Sequence, residues 1–179
     1  MSILKTIKFV SVCFIMGIFL SAPVFAESVN LALKKPATAS STYENYKPAL
    51  ANDGISNIDA NFWCAALGES ANSWWCVDLG EKFKIIEVKI KFRGPSAIYR
   101  FIPGSIAILV SDDNKNWTTA LSKSKNLPAV SSNYENEMSS FPVNTRSRYV
   151  KLFFEDKTSD SPEFIELLEV EILGDTSSK

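Results

Sequence analysis

The feature that most constrains the fold of this sequence is residues 84–92, where apolar and charged side chains alternate. One face carries Ile86, Val88, Ile90 and Phe92, and the other carries Glu87, Lys89 and Lys91. A period of two residues is the pattern of a strand with one buried and one solvated face. The segment therefore predicts a half-buried β-strand.

Four further runs are rich in β-branched and aromatic residues and predict strands, at residues 75–79, 106–110, 148–154 and 167–173. Segments with turn-forming residues lie between the runs, at 80–81, 94–95, 103–104 and 112–114. Residues 164–173 also fit one face of a helix, and we interpret them as a strand. Strands joined by turns, with no long helix, predict an all-β antiparallel sandwich or barrel.

Residues 1–26 have the organisation of a secretory signal peptide. Lys5 and Lys8 precede an apolar run at residues 9–20, and Val24 and Ala26 suit cleavage before Glu27. A transmembrane anchor needs roughly 20 apolar residues, and this run is shorter. We therefore expect a secreted protein, extracellular or, in a Gram-negative bacterium, periplasmic.

The predicted mature chain is one domain at residues 27–175, followed by a polar tail at 176–179. A length of roughly 150 residues is normal for a single domain. Cleavage changes the net charge from −1 to −3, because residues 1–26 hold two lysines and no acidic residue. A mildly acidic chain without a basic cluster argues against nucleic acid and against a membrane lipid surface as partners.

The sequence contains no histidine. Histidine is the usual general base, the usual partner of a nucleophile and the commonest zinc ligand. The carboxylate pairs Asp112/Asp113 and Glu155/Asp156 fall in predicted turns or strand ends, without signs of the enclosed site that acid–base chemistry needs. We therefore predict that the protein is not an enzyme.

A series of short motifs resembles discoidin domains, also called coagulation factor 5/8 type C domains. The motifs are Asn30-Leu-Ala, Ala37-Thr-Ala-Ser-Ser-Thr, Ala49-Leu-Ala-Asn-Asp-Gly, Asn61-Phe-Trp, Trp74-Trp-Cys-Val-Asp-Leu-Gly, Ser111-Asp-Asp-Asn-Lys-Asn-Trp, Arg148-Tyr-Val-Lys-Leu and Glu169-Val-Glu-Ile-Leu-Gly. Their order and spacing, over essentially the whole mature chain, carry the resemblance. It implies a jelly-roll β-sandwich of antiparallel strands, like the galactose-binding domains, with ligands bound by loops at one end.

The resemblance also implies a structural calcium ion (Ca2+) at that end. Calcium takes about six to eight oxygen ligands from carboxylates, amides and backbone carbonyls. The implied ligands are the Asp53 and Glu169 carboxylates, the Asn61 side chain, and the Leu50, Ile55 and Leu168 carbonyls. Asp59 is a rival to Asn61 as a ligand. The alternative is an ordinary Asx turn at residues 52–54 with a solvated Glu169.

The local sequence is most similar to that of fucose-binding lectins, through residues 74–79 and Cys64. Those lectins bind sugar with two arginines seven positions apart, and Arg93 and Arg100 reproduce that spacing. A guanidinium group is planar and presents several N–H donors in a rigid arrangement, which suits hydrogen bonding to sugar oxygens. The alternative is that both arginines are solvated loop charges.

Other sugar contacts follow from the same resemblance. Tyr99, Phe101 or Trp63 is expected to stack on an apolar sugar face. The lectins place a histidine shortly after the cysteine that matches Cys64, and this chain has none. One of three polar residues, Glu69, Ser70 or Asn72, is expected to replace it, which would alter the sugar chosen. The alternative is that sugar binding is lost.

Cys64 and Cys76 remain after signal cleavage into an oxidising compartment, which favours a disulfide between them. The partner cysteine of the lectins corresponds to Leu168 here, so the resemblance leaves Cys76 as the candidate mate. Two buried free thiols are the alternative.

The predicted function is thus a secreted, calcium-stabilised, lectin-like module for fucose- or galactose-type glycans. One alternative is a phospholipid-binding module with an apolar tip around Arg100, formed by Ile98, Tyr99, Phe101 and Ile102. Another is a cell-adhesion module that binds a protein. A single weak sugar site needs multivalency for useful avidity, so a homo-oligomer is compatible with the sugar-binding function.

Overall fold

The computed structural model describes residues 28–56, 61–66, 72–93, 103–124, 138–155 and 165–176. In these ranges the elements are β1 (Val29–Asn30), β2 (Ala37–Ala39), a 3-10 helix (Pro48–Asn52), β3 (Trp63–Cys64), β4 (Trp74–Phe92), β5 (Ser105–Ser111), β6 (Thr118–Ser124), β7 (Ser139–Glu155) and β8 (Glu166–Asp175). The predicted all-β fold is confirmed. Residues 167–173, which also fitted a helix, lie within β8.

No helix in the described ranges has the length and apolar character that crossing a membrane would require.

All strand pairings in these ranges are antiparallel, in the order β1-β8-β4-β7-β5-β6, with β2 on β4 and β3 on β8. Strand β4 is central, because β7 pairs with it along both halves and β8 pairs with its second half. The register between β4 and β7 shifts between Asp78 and Phe83, around Gly80 at φ +92°. The predicted turn at residues 80–81 is therefore wrong: glycine permits an irregularity inside a continuous strand.

A second irregularity in β4 corrects the predicted face of residues 84–92. The register with both neighbours shifts between Ile85 and Glu87, which puts Ile85 in the core at 0% exposure and leaves Ile86 half-buried. A bulge adds one residue to a strand and so resets its alternation. Val88, Ile90 and Phe92 are buried as predicted, whereas Lys91 is also buried, opposite Glu169.

Two indole rings fix the segment before β3 onto the sandwich core. Trp63 Nε1 donates to the Ser41 carbonyl at 3.1 Å, and Trp75 Nε1 donates to the Pro48 carbonyl at 2.9 Å. Both side chains are fully buried, and a buried indole normally needs such an acceptor.

Trp117 packs beside a turn, where its ring contacts Lys151. The Lys151 ammonium lies 3.8 Å from the centre of its ring and 4.8 Å from that of Trp74. The preceding turn depends on Asp113, whose Oδ1 accepts the backbone N–H groups of Lys115 and Asn116. The predicted turn at residues 112–114 is therefore confirmed.

One end of the sandwich is assembled by backbone hydrogen bonds between distant segments. Ala65 N donates to the Ile165 carbonyl at 3.0 Å, and Arg93 N donates to the Glu166 carbonyl at 3.1 Å. Tyr43 N donates to the Cys64 carbonyl at 2.9 Å. Strand β3, the end of β4, the start of β8 and the segment around Tyr43 therefore meet, and this end carries the candidate site.

Candidate functional site

Arg93, which directly follows β4, is held by two groups at this end. Its Nη1 donates to Glu166 Oε2 at 2.7 Å, and its guanidinium carbon lies 4.3 Å from the centre of the Phe62 ring. The Arg93 side chain is 21% exposed and that of Glu166 is 7% exposed. Arg93 is therefore a fixed, partly accessible donor, and the alternative of a solvated loop charge does not hold for it.

An aromatic column extends from Arg93 through Phe62 to Tyr46 and Tyr43. The Phe62 and Tyr46 ring centres are 4.1 Å apart, and those of Tyr46 and Tyr43 are 6.3 Å apart at an interplanar angle of 4°. Both tyrosines are half-buried. The column combines a charged donor with flat apolar surface, which is the chemistry that a sugar requires.

Sequence reasoning missed both tyrosines. Their place depends on the Tyr43–Cys64 backbone bond and on a second one, in which Cys64 N donates to the Tyr46 carbonyl at 3.2 Å. No spacing pattern in the sequence signals such a contact between a loop and a short strand.

The other predicted sugar contacts have different outcomes. Glu69, Ser70, Tyr99, Arg100 and Phe101 lie outside the described residues. Asn72 is exposed, with φ +61°. The expectation that Trp63 stacks on sugar is wrong, since its side chain is fully buried in the core.

Four of the six predicted calcium ligands come from two elements that the structure brings together. Leu50 lies in the 3-10 helix, Asp53 is the C-cap of that helix, and Leu168 and Glu169 lie on β8. Gly54 N donates to Glu169 Oε2 at 3.2 Å, which joins the two elements. Ile55 N donates to Asp53 Oδ1 at 2.8 Å, so the Asx turn exists. Glu169, however, is buried and not solvated.

Glu169 is an incompletely satisfied carboxylate. In the described part of the chain its Oε1 is buried without a hydrogen-bond partner, and so is Asn52 Oδ1. Burial raises the pKa of Glu169 from 4.5 to about 8, and the charges of Asp53 and Glu171 act in the same direction. A buried carboxylate of this kind is stabilised by a cation.

The residues present fit a calcium ion better than a transition metal. The described ranges contain no group of three or more His, Cys, Asp and Glu side chains that could hold a metal, so an ion here would depend largely on carbonyl and amide oxygens. Carbonyl, amide and carboxylate oxygens suit calcium, whereas zinc favours cysteine and histidine. Asn61 is half-buried next to Phe62, and its rival Asp59 lies outside the described residues.

The family model of the F5/8 type C domain matches residues 36–169. The chain belongs to the F5/8 type C domain family. No curated protein sequence matches it.

Solved structures with the same fold include carbohydrate-binding modules and lectins. A Streptococcus pneumoniae fucose binding module shares 27% identity at a TM-score of 0.64, over 83% of this chain and 96% of that one. Chitosan-binding module 1 from a Paenibacillus sp. IK-5 chitosanase/glucanase shares 26% identity at a TM-score of 0.62, over 82% and 99%. A striped bass (Morone saxatilis) serum fucolectin shares 24% identity at a TM-score of 0.63, over 84% and 50%.

The structure contradicts the predicted disulfide of this F5/8 type C domain. Cys64 and Cys76 are both free and buried. Cys64 packs with Phe62 and Leu168, and its charged neighbours include Glu166 and Arg93. Cys76 lies on β4 beside Lys151 and Asp78. The two thiols occupy different environments, so the alternative of two buried free thiols holds.

The carboxylate pair Asp112 and Asp113 serves the framework. Asp112 bonds to the exposed Lys82 at 2.5 Å, and Asp113 is occupied by its turn. Hydrogen bonds from the Asn116 and Lys115 N–H groups hold the pKa of Asp113 well below its usual range. Asp156, the partner of Glu155, lies outside the described residues.

We predict that both thiols resist alkylation in the native protein. Burial raises the pKa of Cys76 to about 11 and raises that of Cys64 as well, which suppresses the reactive thiolate. Peptide mapping after alkylation without reductant should find both cysteines unlabelled in native protein and labelled in denaturant. The Cys64→Ser variant should lose one label. If the cysteines stay unlabelled in denatured, unreduced protein, the two residues form a disulfide after all.

We predict that metal-free protein loses stability as the pH rises through the range in which Glu169 ionises. The native state holds a proton on Glu169 that the unfolded state releases near pH 4.5. The contribution is therefore complete below about pH 4.5 and disappears as the pH rises through about 8. Urea unfolding in chelator should show this decline in wild type and a smaller one in Glu169→Gln. Equal slopes for the two proteins would contradict the assignment.

Proposed function

We propose that this F5/8 type C domain is a secreted carbohydrate-binding module without catalytic activity. The observation that carries the proposal is the Arg93 guanidinium, fixed by Glu166 and Phe62 at the end of an aromatic column. The similar structures named above include fucose- and chitosan-binding modules, which supports glycans as the ligand class. Secretion rests on the signal-peptide pattern of residues 1–26.

The proposed site uses two kinds of contact. The guanidinium N–H groups of Arg93 would donate hydrogen bonds to sugar hydroxyls and to the ring oxygen. Arg100 is included in the proposed site because it lies seven positions after Arg93 in the sequence. Tyr43 and Tyr46 would present flat apolar surface to the carbon–hydrogen face of the sugar. Fucose- and galactose-type sugars are the first candidates, and glucosamine oligomers belong in the same screen because of the chitosan-binding relative.

We also propose a structural calcium ion beside this site. Its ligands would be the Asp53 and Glu169 carboxylates, the Asn61 side chain, and the carbonyls of Leu50, Ile55 and Leu168. The unpartnered Glu169 Oε1 supports this proposal, as does the contact between Gly54 and Glu169. The ion would supply charge neutralisation, and the Asp53 turn would thereby be fixed on β8.

We predict that calcium raises the melting temperature of wild type and has little effect on Asp53→Ala. An ion that binds only the native state stabilises it by about 2.7 kcal/mol at a concentration 100-fold above its Kd. Scanning calorimetry with calcium or chelator measures the shift. Asp112→Ala is the matched control, since Asp112 is exposed and bonded to Lys82, and it should respond like wild type. An identical response of Asp53→Ala and wild type would show that Asp53 is not a ligand.

We predict that Arg93→Ala and Arg100→Ala each weaken glycan binding by about tenfold to a hundredfold. Hydrogen bonds from charged donors are worth about 1.5 to 3 kcal/mol each. A glycan array identifies the ligand, and isothermal calorimetry then measures the affinity. Arg146→Ala is the matched control because Arg146 is exposed on β7, outside the site.

Two outcomes would contradict the sugar site. If wild type binds a glycan and neither arginine variant weakens that binding, the site lies elsewhere on the sandwich. If wild type binds no glycan, the protein-adhesion function becomes the leading alternative, and liposome sedimentation with anionic lipid tests the phospholipid alternative.

A further inference from the structure

Glu166 is a buried carboxylate that contacts Arg93 through both its main chain and its side chain. Its carbonyl accepts Arg93 N at 3.1 Å, and its Oε2 accepts Arg93 Nη1 at 2.7 Å. Arg93 follows the last residue of β4, where a long side chain would otherwise sample many rotamers. Glu166 therefore fixes the direction of the guanidinium before any ligand arrives.

Phe62 and Cys64 complete the environment of this pair. The Phe62 ring lies against the guanidinium, and the Cys64 thiol, which donates to the Ala65 carbonyl at 3.3 Å, lies near the Glu166 carboxyl. Cys64 and Glu166 are also paired residues of β3 and β8. The carboxylate is thus positioned by two neighbouring strands, and of the ion pair it is Arg93 that remains more accessible.

The charges of the two groups cancel at the point where a ligand would meet Arg93. A neutral sugar receives hydrogen bonds from the guanidinium without needing a further counter-ion. An acidic sugar would bring a second carboxylate close to Glu166 in a partly desolvated site, where like charges repel. Specificity is commonly achieved by such a repulsive element as well as by attractive contacts.

We propose that Glu166 is a positioning and specificity-determining residue, which orients Arg93 and makes the site prefer uncharged sugars to acidic ones. The inference rests on the sugar-binding function proposed above and adds the class of sugar.

The experiment compares matched neutral and acidic sugars by calorimetry at one pH and salt concentration. Galactose is paired with galacturonate and glucose with glucuronate, and fucose is included as a further neutral sugar. Wild type should bind its best neutral sugar at least about tenfold more tightly than either acid. Glu166→Gln should weaken neutral binding and shift the ratio of acidic to neutral affinity by about tenfold toward the acid, since one unit of charge is removed.

Two variants separate charge from packing. Glu166→Asp keeps the carboxylate, so it should retain the preference for neutral sugars even where the affinity falls. Glu87→Gln removes the same charge from β4, roughly 20 Å along the strand from Arg93, and should leave the ratio unchanged. Melting temperatures identify any variant that fails to fold. If Glu166→Gln fails to fold, the test depends on Glu166→Asp and on whether wild type prefers neutral sugars to acidic ones.

The outcomes are distinct. An unchanged ratio in folded Glu166→Gln, or a wild type that prefers acidic sugars, would overturn the role of Glu166 and leave the sugar-binding function intact. A wild type that binds no glycan at all would overturn both.

Discussion

The fold depends on the pairing of one long strand, β4, with both of its neighbours. β7 follows β4 along both halves, and β8 joins its second half, so the strand links the segments that build the rest of the sheet. The register of this strand shifts near Gly80 and again near Ile86, and irregularities of this kind bend a strand and increase its local twist. Arg93, which follows the end of β4, therefore lies beside the start of β8.

The candidate site inherits its geometry from that junction. Glu166 opens β8, and Cys64 of β3 pairs with it, so the ion pair with Arg93 rests on three strands. Glu169, three residues further along β8, meets the turn at Asp53 and Gly54. One strand therefore supplies one carboxylate to the proposed sugar site and another to the proposed calcium site.

The two carboxylates differ in what compensates for their burial. The Arg93 guanidinium, 2.7 Å away, partly offsets the cost of burying Glu166. The pKa of Glu166 nevertheless remains raised, because burial outweighs this ion pair. Glu169 Oε1 has no hydrogen-bond partner within the described residues, and burial raises the pKa of Glu169 to about 8 although the buried Lys91 lies opposite it on β4. An unpaired buried charge is costly, so a group of this kind either keeps its proton or binds a cation. This contrast is the reason that we propose a positioning role for Glu166 and a metal-ligand role for Glu169.

The sequence by itself determined the all-β class, the strands that contain residues 75–79, 106–110, 148–154 and 167–173, and the resemblance to discoidin domains, because alternation and turn residues act locally. The resemblance to discoidin domains and fucose-binding lectins also identified Arg93, Asp53 and Glu169 as candidate site residues. The tertiary structure alone decided that Ile85 replaces Ile86 in the core, that Trp63 is buried, and that Cys64 and Cys76 are free. It likewise brought Tyr43, Phe62 and Glu166 to Arg93. These outcomes depend on bulges and on contacts between segments far apart in the chain, and no local pattern of residues encodes a distance between them.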